Sequence, residues 1–261
     1  MIYYGIDTAA RITAVQAEKV KAEELTFVVR YLVPASMGKE ITADEATALR
    51  NAGVAVMLCW ETTASRAKAG GDAGASDGKK ARELARELGV PDGTAIYFAV
   101  DYDAPRWDFE AIRAYLIAAK AAVYPYQAGV YGSKKVLDAM CVEVPGLLGW
   151  QCVAWSYGAV SEHMDVYQYQ WQGGSEAKAL AAKLGFAVDL DRAESLDGMW
   201  KPEAKKPWYA DTIAWAVKEG IMDGTRPDDY ATRAEVAQMI RNYNRRFESD
   251  DGKAHSGLLE D

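Results

Sequence analysis

Histidine and cysteine are scarce in this chain, and their scarcity excludes more chemistry than any other absence. Two histidines, His163 and His255, stand among 261 residues. That argues against a histidine-rich zinc centre and against a Ser-His-Asp triad, leaving open a lone His serving a Cys nucleophile. Three cysteines, Cys59, Cys141 and Cys152, are an odd set without framework spacing and read as reduced core residues of a protein made in the cytoplasm. No cluster of five or more basic residues occurs, and the net charge is −8, so no nucleic-acid partner is expected. Gly70-Gly71-Asp72-Ala73-Gly74 lacks a following Gly-Lys-Ser/Thr and reads as a flexible loop, not a phosphate cradle. No long apolar run and no basic segment precede Ile2–Ile6, so neither a membrane span nor a signal peptide is expected, and export to an outside target would need another route. No metal or organic cofactor is suggested.

What is present is an ordinary globular composition, 50% hydrophobic and 26% charged, enough for a substantial core. Its most informative stretch is Tyr97-Phe98-Ala99-Val100-Asp101-Tyr102-Asp103, an apolar run ending in two carboxylates. Read as a buried strand, it places Asp101 and Asp103 on one face, roughly 6.6 Å apart along the strand. Such a pair is costly through desolvation and repulsion unless it is used, and acid–base work on a glycosidic bond uses one. The alternative is a turn or helix start at Asp103-Ala104-Pro105.

Eight β-like runs alternate with helical patterns: Ile2–Ile6, Phe27–Leu32, Val54–Trp60, Ala95–Val100, Gln127–Tyr131, Trp150–Trp155, Val166–Trp171 and Phe186–Leu190. The helical stretches include Asp44–Asn51, Gly78–Leu88, Phe109–Val123 and Glu176–Leu184, several stopped by glycine or proline. This alternation predicts an α/β fold, a (β/α)₈ TIM-like barrel whose later crossovers are short, with a doubly wound open sheet as the alternative. Barrel parity then points Gly5, Asp7, Cys59, Glu61, Tyr97, Ala99, Asp101, Gln168, Gln170, Asp189 and Asp191 inward. It turns Phe98 and Val100 toward the helices. Acidic residues from four strand ends would converge on the rim where barrel enzymes build their sites.

These segments resemble the glycoside-hydrolase-like barrels first catalogued as a domain of unknown function, relatives of the family 25 lysozymes. The resemblance runs through Tyr4-Gly5-Ile6-Asp7, Arg30-Tyr31-Leu32, Trp60-Glu61, Ile96–Asp103, Gly129-Val130-Tyr131-Gly132 and Val188-Asp189-Leu190-Asp191. It implies a catalytic barrel over 1–198 acting on peptidoglycan glycan, with Asp7, Asp101 and Asp189 matching the first-, fourth- and last-strand aspartates. The lysozymes' general acid is a glutamate where this chain has Asp103, one methylene shorter. Either Asp103 still donates the proton or Glu61 does, with Asp101 as base or stabiliser, and Asp7 and Asp189 orienting sugar hydroxyls or the acetamido group. The implied reaction is muramidase hydrolysis of the β-1,4 MurNAc–GlcNAc bond in a Gram-positive wall. A glycan-binding protein without activity is the main alternative.

With 8 Trp and 15 Tyr in the chain, aromatic stacking on pyranose faces is expected near the strand ends, from Trp60, Tyr102, Tyr131, Trp155 and Trp171. Gln170, Asp191 and Arg30 complete the expected substrate contacts. Residues 199–207 read as a proline-bounded linker. The segment 208–247 reads as a helical hairpin similar to an S-layer homology repeat, through its Trp-Ala pair, Gly-Ile-Met-Asp-Gly turn and Thr232-Arg233-Ala234-Glu235 capping box. That resemblance implies a secondary cell-wall polymer as partner, or a homo-oligomer through the hairpin. Residues 248–261 read as a disordered tail. Barrel, repeat and missing leader together predict a phage or prophage endolysin, released to the wall by a holin.

Overall fold

The computed structural model describes residues 1–202, 210–223 and 231–248. Eight strands close into one barrel in chain order: β1 (Tyr3–Asp7), β2 (Phe27–Tyr31), β3 (Ala55–Trp60), β4 (Ala95–Ala99), β5 (Gln127–Gly132), β6 (Leu148–Cys152), β7 (Val166–Gln170) and β8 (Asp189–Ala193). Helices α1 (Ala14–Ala22), α2 (Ala43–Asn51), α3 (Gly70–Glu87), α4 (Phe109–Val123) and α5 (Lys134–Glu143) follow the first five strands, and α6 (Ser175–Leu184) follows β7. No helix stands between β6 and β7.

Strand direction departs from a regular (β/α)₈ barrel as well. Strands β1 to β7 run parallel, but β8 runs antiparallel to both β7 and β1. The expected eighth strand, Phe186–Leu190, is displaced to Asp189–Ala193. Alternation of apolar and acidic residues reads the same in either direction, so the pattern Val188-Asp189-Leu190-Asp191 marks a strand without giving its sense. Reversal delivers Asp189, the first residue of β8, to the rim where the other strands end. Register confirms it: Asp7 pairs with Asp189, and Gly5 pairs with Asp191 two residues deeper.

Parity holds through most of the barrel. Phe27, Val29, Met57, Cys59, Tyr97, Ala99, Tyr131, Trp150 and Cys152 pack together inside it. Ile6, Val28, Leu58, Trp60, Phe98 and Val100 pack between strands and helices. Burying each such side chain contributes about 1.5–3 kcal/mol. Gly5 faces inward because nothing larger fits: a Cβ there would lie 2.6 Å from the Phe27 ring.

The glycine stretch expected as a loop is instead the first turn of α3, which begins eight residues earlier than periodicity suggests. Gly74 is buried there, and a Cβ on it would stand 2.1 Å from the Tyr115 carbonyl of α4. Gly74 and Gly78 of α3 serve close packing on α4, which offsets their roughly 1 kcal/mol cost in a helix. Asp77 of α3 then accepts from Arg66 at 2.8 and 2.9 Å and from the Tyr115 hydroxyl at 2.7 Å, satisfying a buried carboxylate.

The chain divides by contacts into two units, Met1–Glu203 and Ala204–Asp261, a boundary that falls inside the expected linker. Trp200 still belongs to the first unit, exchanging backbone hydrogen bonds with Val56. In the second, α7 (Ala210–Lys218) and α8 (Arg233–Glu248) are helical, and Thr232 and Glu235 cap each other as expected. Asn242 Nδ2 donates to the Ile221 carbonyl. The rest of the expected linker, residues 224–230 and residues 249–261 of the expected tail lie outside the described residues. No helix among the described residues is long and apolar enough to cross a membrane.

Candidate active site

The site is built from the rim ends of β1, β3, β4, β7 and β8. Asp101 follows β4, and its backbone N–H donates to the Ala64 carbonyl at 3.0 Å, tying it to the loop that carries Glu61. Burial pushes the Asp101 carboxyl up to about 6, helped by the charge of Glu61, opposed by the Lys39 ammonium and raised further by Asp189. Lys39 Nζ lies 3.0 Å from Glu61 Oε2 and 4.1 Å from the centre of the Tyr31 ring.

Below this rim, Gln168 of β7 organises a polar floor. Its Nε2 donates to Asp7 Oδ2 at 2.8 Å and Asp189 Oδ2 at 3.0 Å, while its Oε1 accepts from the Tyr131 hydroxyl at 3.0 Å. Asp189 Oδ1 accepts the Gln172 N–H at 2.6 Å. Asp191 is fully buried, and its Oδ1 accepts from the Trp150 indole at 2.9 Å. Asp7 and Asp191 act on each other: the neighbouring carboxyl raises Asp7, whereas Asp7 favours the charged form of Asp191. Desolvation, then the Asp191 and Asp189 charges, hold Asp7 well above the usual carboxylate range. Desolvation also pushes Asp191 up to about 7, although the bond from Asp7 favours its charged form. Of the two, Asp7 is the one whose surroundings favour the protonated form more strongly.

A cavity of about 170 Å³, lined by Asp7, Thr8, Tyr31, Gln172 and Asp189 among others, opens at this rim. A larger one, about 370 Å³, lies among Gln127, Leu148, Val166 and Glu194 at the opposite mouth, away from the carboxyl cluster. Among the described residues no three His, Cys, Asp or Glu side chains converge as metal ligands. Burial raises the thiols of Cys59, Cys141 and Cys152, the latter two to about 11 and about 12, so none is a thiolate nucleophile at neutral pH.

The structure gathers Asp7, Glu61, Asp101, Tyr131, Asp189 and Asp191 as expected, and five other expected site residues lie elsewhere. Asp103 is exposed and ion-paired with Lys135 of α5. Strand β4 stops at Ala99, so the same-face rule does not extend to 103. Arg30 is 0% exposed, locked to Glu45 of α2, and cannot touch a ligand. Trp60 packs in the strand–helix layer, the consequence of Cys59 and Glu61 facing inward. The Tyr102 hydroxyl donates to Asp108 at 2.9 Å, with the Lys68 ammonium over its ring. Gln170 accepts the Ala177 N–H at 2.8 Å at the start of α6, because a register shift between Gln168 and Gln170 interrupts the alternation. Trp155 is half-buried against the barrel interior, and Trp171 is 61% exposed just past β7.

Sequence reasoning placed Gln168 inward without giving it a role, and it missed Lys39, Tyr31 and Trp150. Parity could have found Trp150 and Tyr31; nothing local marks Lys39, whose place is set by a loop.

Residues 18–253 match the family of the Rv2525c-like, glycoside hydrolase-like domain, and the chain belongs to it. That match runs past the barrel through the segment expected to be S-layer-like. The uncharacterized protein YbfG of Bacillus subtilis strain 168 is 34% identical over 156 residues, covering 50% of this chain and 20% of YbfG, so the chain spans about a fifth of that relative. The Tat-secreted protein Rv2525c of Mycobacterium tuberculosis, solved with L-tartrate, superposes with a TM-score of 0.63 at 21% identity, covering 76% of this chain and 98% of Rv2525c. An uncharacterized B. stearothermophilus protein superposes with a TM-score of 0.58 at 20% identity, covering 76% and 100%. Both likenesses are of fold.

Proposed function

We propose that the barrel is a peptidoglycan-directed glycosidase, an N-acetylmuramidase cutting the β-1,4 MurNAc–GlcNAc bond, with Asp101 as proton donor. Asp101 itself carries the reading. It is a half-buried carboxyl at the rim, protonated up to about pH 6, standing among Glu61 and Asp189. A group that keeps its proton in mildly acidic solution, up to about pH 6, while reaching solvent suits donation to a glycosidic oxygen. Glu61, beside the Lys39 ammonium, suits the second role: stabilising the oxocarbenium-like centre or activating water. Asp189 and Gln168 offer polar groups to sugar hydroxyls or the acetamido group, and exposed Trp171 offers a stacking face. The Asp7–Asp191 pair lies deeper and serves as the floor that positions Gln168. The resemblance to family 25 lysozymes supports peptidoglycan as substrate. Together with the S-layer-like pattern of 208–247, which would engage a secondary wall polymer, it extends the proposal to an endolysin released by a holin.

A second reading, glycan binding without hydrolysis, is favoured by Asp103, which matches the lysozymes' acid yet pairs with Lys135 outside the cluster. A reducing-end assay on purified Gram-positive sacculi decides between them. Hydrolysis by wild type, lost in Asp101→Asn and in Glu61→Gln and falling as pH rises through about 6, supports the glycosidase. Binding to sacculi without new reducing ends overturns it and leaves the binder.

A further inference from the structure

Arg30 and Glu45 form an ion pair with side chains 0% and 1% exposed and Nε–Oε1 at 2.6 Å. Burial of this kind is a poor source of stability, since desolvation consumes most of what pairing returns and apolar residues of similar volume often do as well. The remaining bonds of the pair show another use. Arg30 Nη1 donates to the carbonyl of Thr8, the residue after Asp7, and Nη2 donates to the Lys39 carbonyl at 3.3 Å. Glu45 Oε1 also accepts the Ile12 N–H at 2.9 Å. One buried fork therefore ties together the loop after β1, the loop after β2 and the start of α2, where Thr42 accepts the Glu45 N–H.

Lys39 is the residue those loops present to the site. Its backbone is held by Arg30 from below and its ammonium reaches Glu61 and the face of Tyr31. The loop is fastened twice more, by the Ile41 N–H on the Tyr31 carbonyl at 2.8 Å and by Arg11 on Glu40 at 2.6 Å. With side chains 21% and 15% exposed, the Lys39–Glu61 pair is screened less than a surface pair.

We propose that Arg30 and Glu45 are positioning residues for the rim: by fixing the loops after β1 and β2 they set the Lys39 ammonium against Glu61 and within reach of Asp101. For its consequence in turnover this rests on the glycosidase reading; for its electrostatics it does not. The charged groups acting on Asp101 are Glu61, Lys39 and Asp189, and Lys39 is the cation in that set. Tyr31, Tyr131, Cys59 and Cys152 also lie within reach of the Asp101 charge, and all four are held neutral by burial.

The test is the Asp101 titration, followed by carboxyl carbon NMR, in wild type, Lys39→Met, Arg30→Lys and the double variant Arg30→Met/Glu45→Leu. Lys39→Met removes the cation that opposes protonation, so the Asp101 midpoint rises above its wild-type value by about half a pH unit or more. Arg30→Lys keeps a charge for Glu45 but loses the planar fork that reaches both carbonyls. The double variant replaces the pair by apolar volume and keeps its melting temperature. Both shift the Asp101 midpoint in the same direction as Lys39→Met, although Lys39 is still present. An unmoved midpoint in folded Arg30→Lys and double variants overturns the proposal, as does an unmoved midpoint in Lys39→Met. Shifted midpoints in a protein that makes no reducing ends from sacculi uphold the positioning role and overturn the glycosidase reading.

Discussion

Replacing Asp191 by Asn should stabilise the protein at neutral pH and have little effect in acid. Asp191 has no solvent exposure, and burial pushes its carboxyl from 3.8 to about 7. A carboxyl raised in the folded state binds protons more tightly there than in the unfolded chain. Its favourable contribution is complete below the unfolded value of 3.8 and is lost as pH climbs to about 7. At 1.36 kcal/mol per tenfold change in proton affinity, the interval bounds the loss at about 4 kcal/mol. The offsetting effects of Asp7 and the Trp150 indole are already contained in that value, and asparagine gives up part of them, so about 2–4 kcal/mol is expected at pH 7. Asparagine keeps an oxygen for the Trp150 indole and carries no charge. Urea unfolding of wild type and Asp191→Asn at pH 4, 5.5 and 7 reads the effect. The gap should open with pH, reaching the stated size at pH 7. A gap of constant size across that range, or a variant less stable at pH 7, would refute the burial argument.

Gly5→Ala drives a methyl into the Phe27 ring and should cost about 1–3 kcal/mol in chemical denaturation. Asp103→Asn breaks only an exposed pair with Lys135, so stability should change by less than about 1 kcal/mol, and sacculus hydrolysis should stay within a few-fold of wild type. Complete loss of hydrolysis in that variant would return Asp103 to the site. Gln170→Ala removes the acceptor for the Ala177 N–H and should cost about 1 kcal/mol, with hydrogen exchange accelerating first in α6.

The strand runs, their parity and the rim acids were legible because period-two alternation is a local property. Asp7, Glu61, Asp101 and Asp189 all sit where alternation projects them. What alternation lacks is direction and length. It could not say that β8 runs backwards, nor that β4 ends at Ala99 and frees Asp103 to meet Lys135. A single register shift likewise turned Gln170 to α6. Arg30 was misread for a different reason: a charged residue near a strand end invites a ligand, and only its Glu45 partner, 15 residues away, shows the charge to be satisfied internally. Lys39 was invisible because its contacts depend on a loop path that no periodicity encodes.

The reversed last strand also bears on when the protein becomes competent. Asp7 lies on the first strand, and its partners Gln168 and Asp191 arrive on the last two, with the Gln168–Asp7 bond spanning 161 positions. Thr8 reaches even further, to Ala187 across 179 positions. Contacts this distant in sequence form late, because loop-closure entropy must be overcome first. A ribosome-bound chain short of residue 190 can build most of the wall layer of helices and strands while its acid cluster is still in separate pieces. Closure of the ring is what brings Gln168, Asp189 and Asp191 to Asp7, so a half-made molecule lacks the floor beneath Glu61 and Asp101.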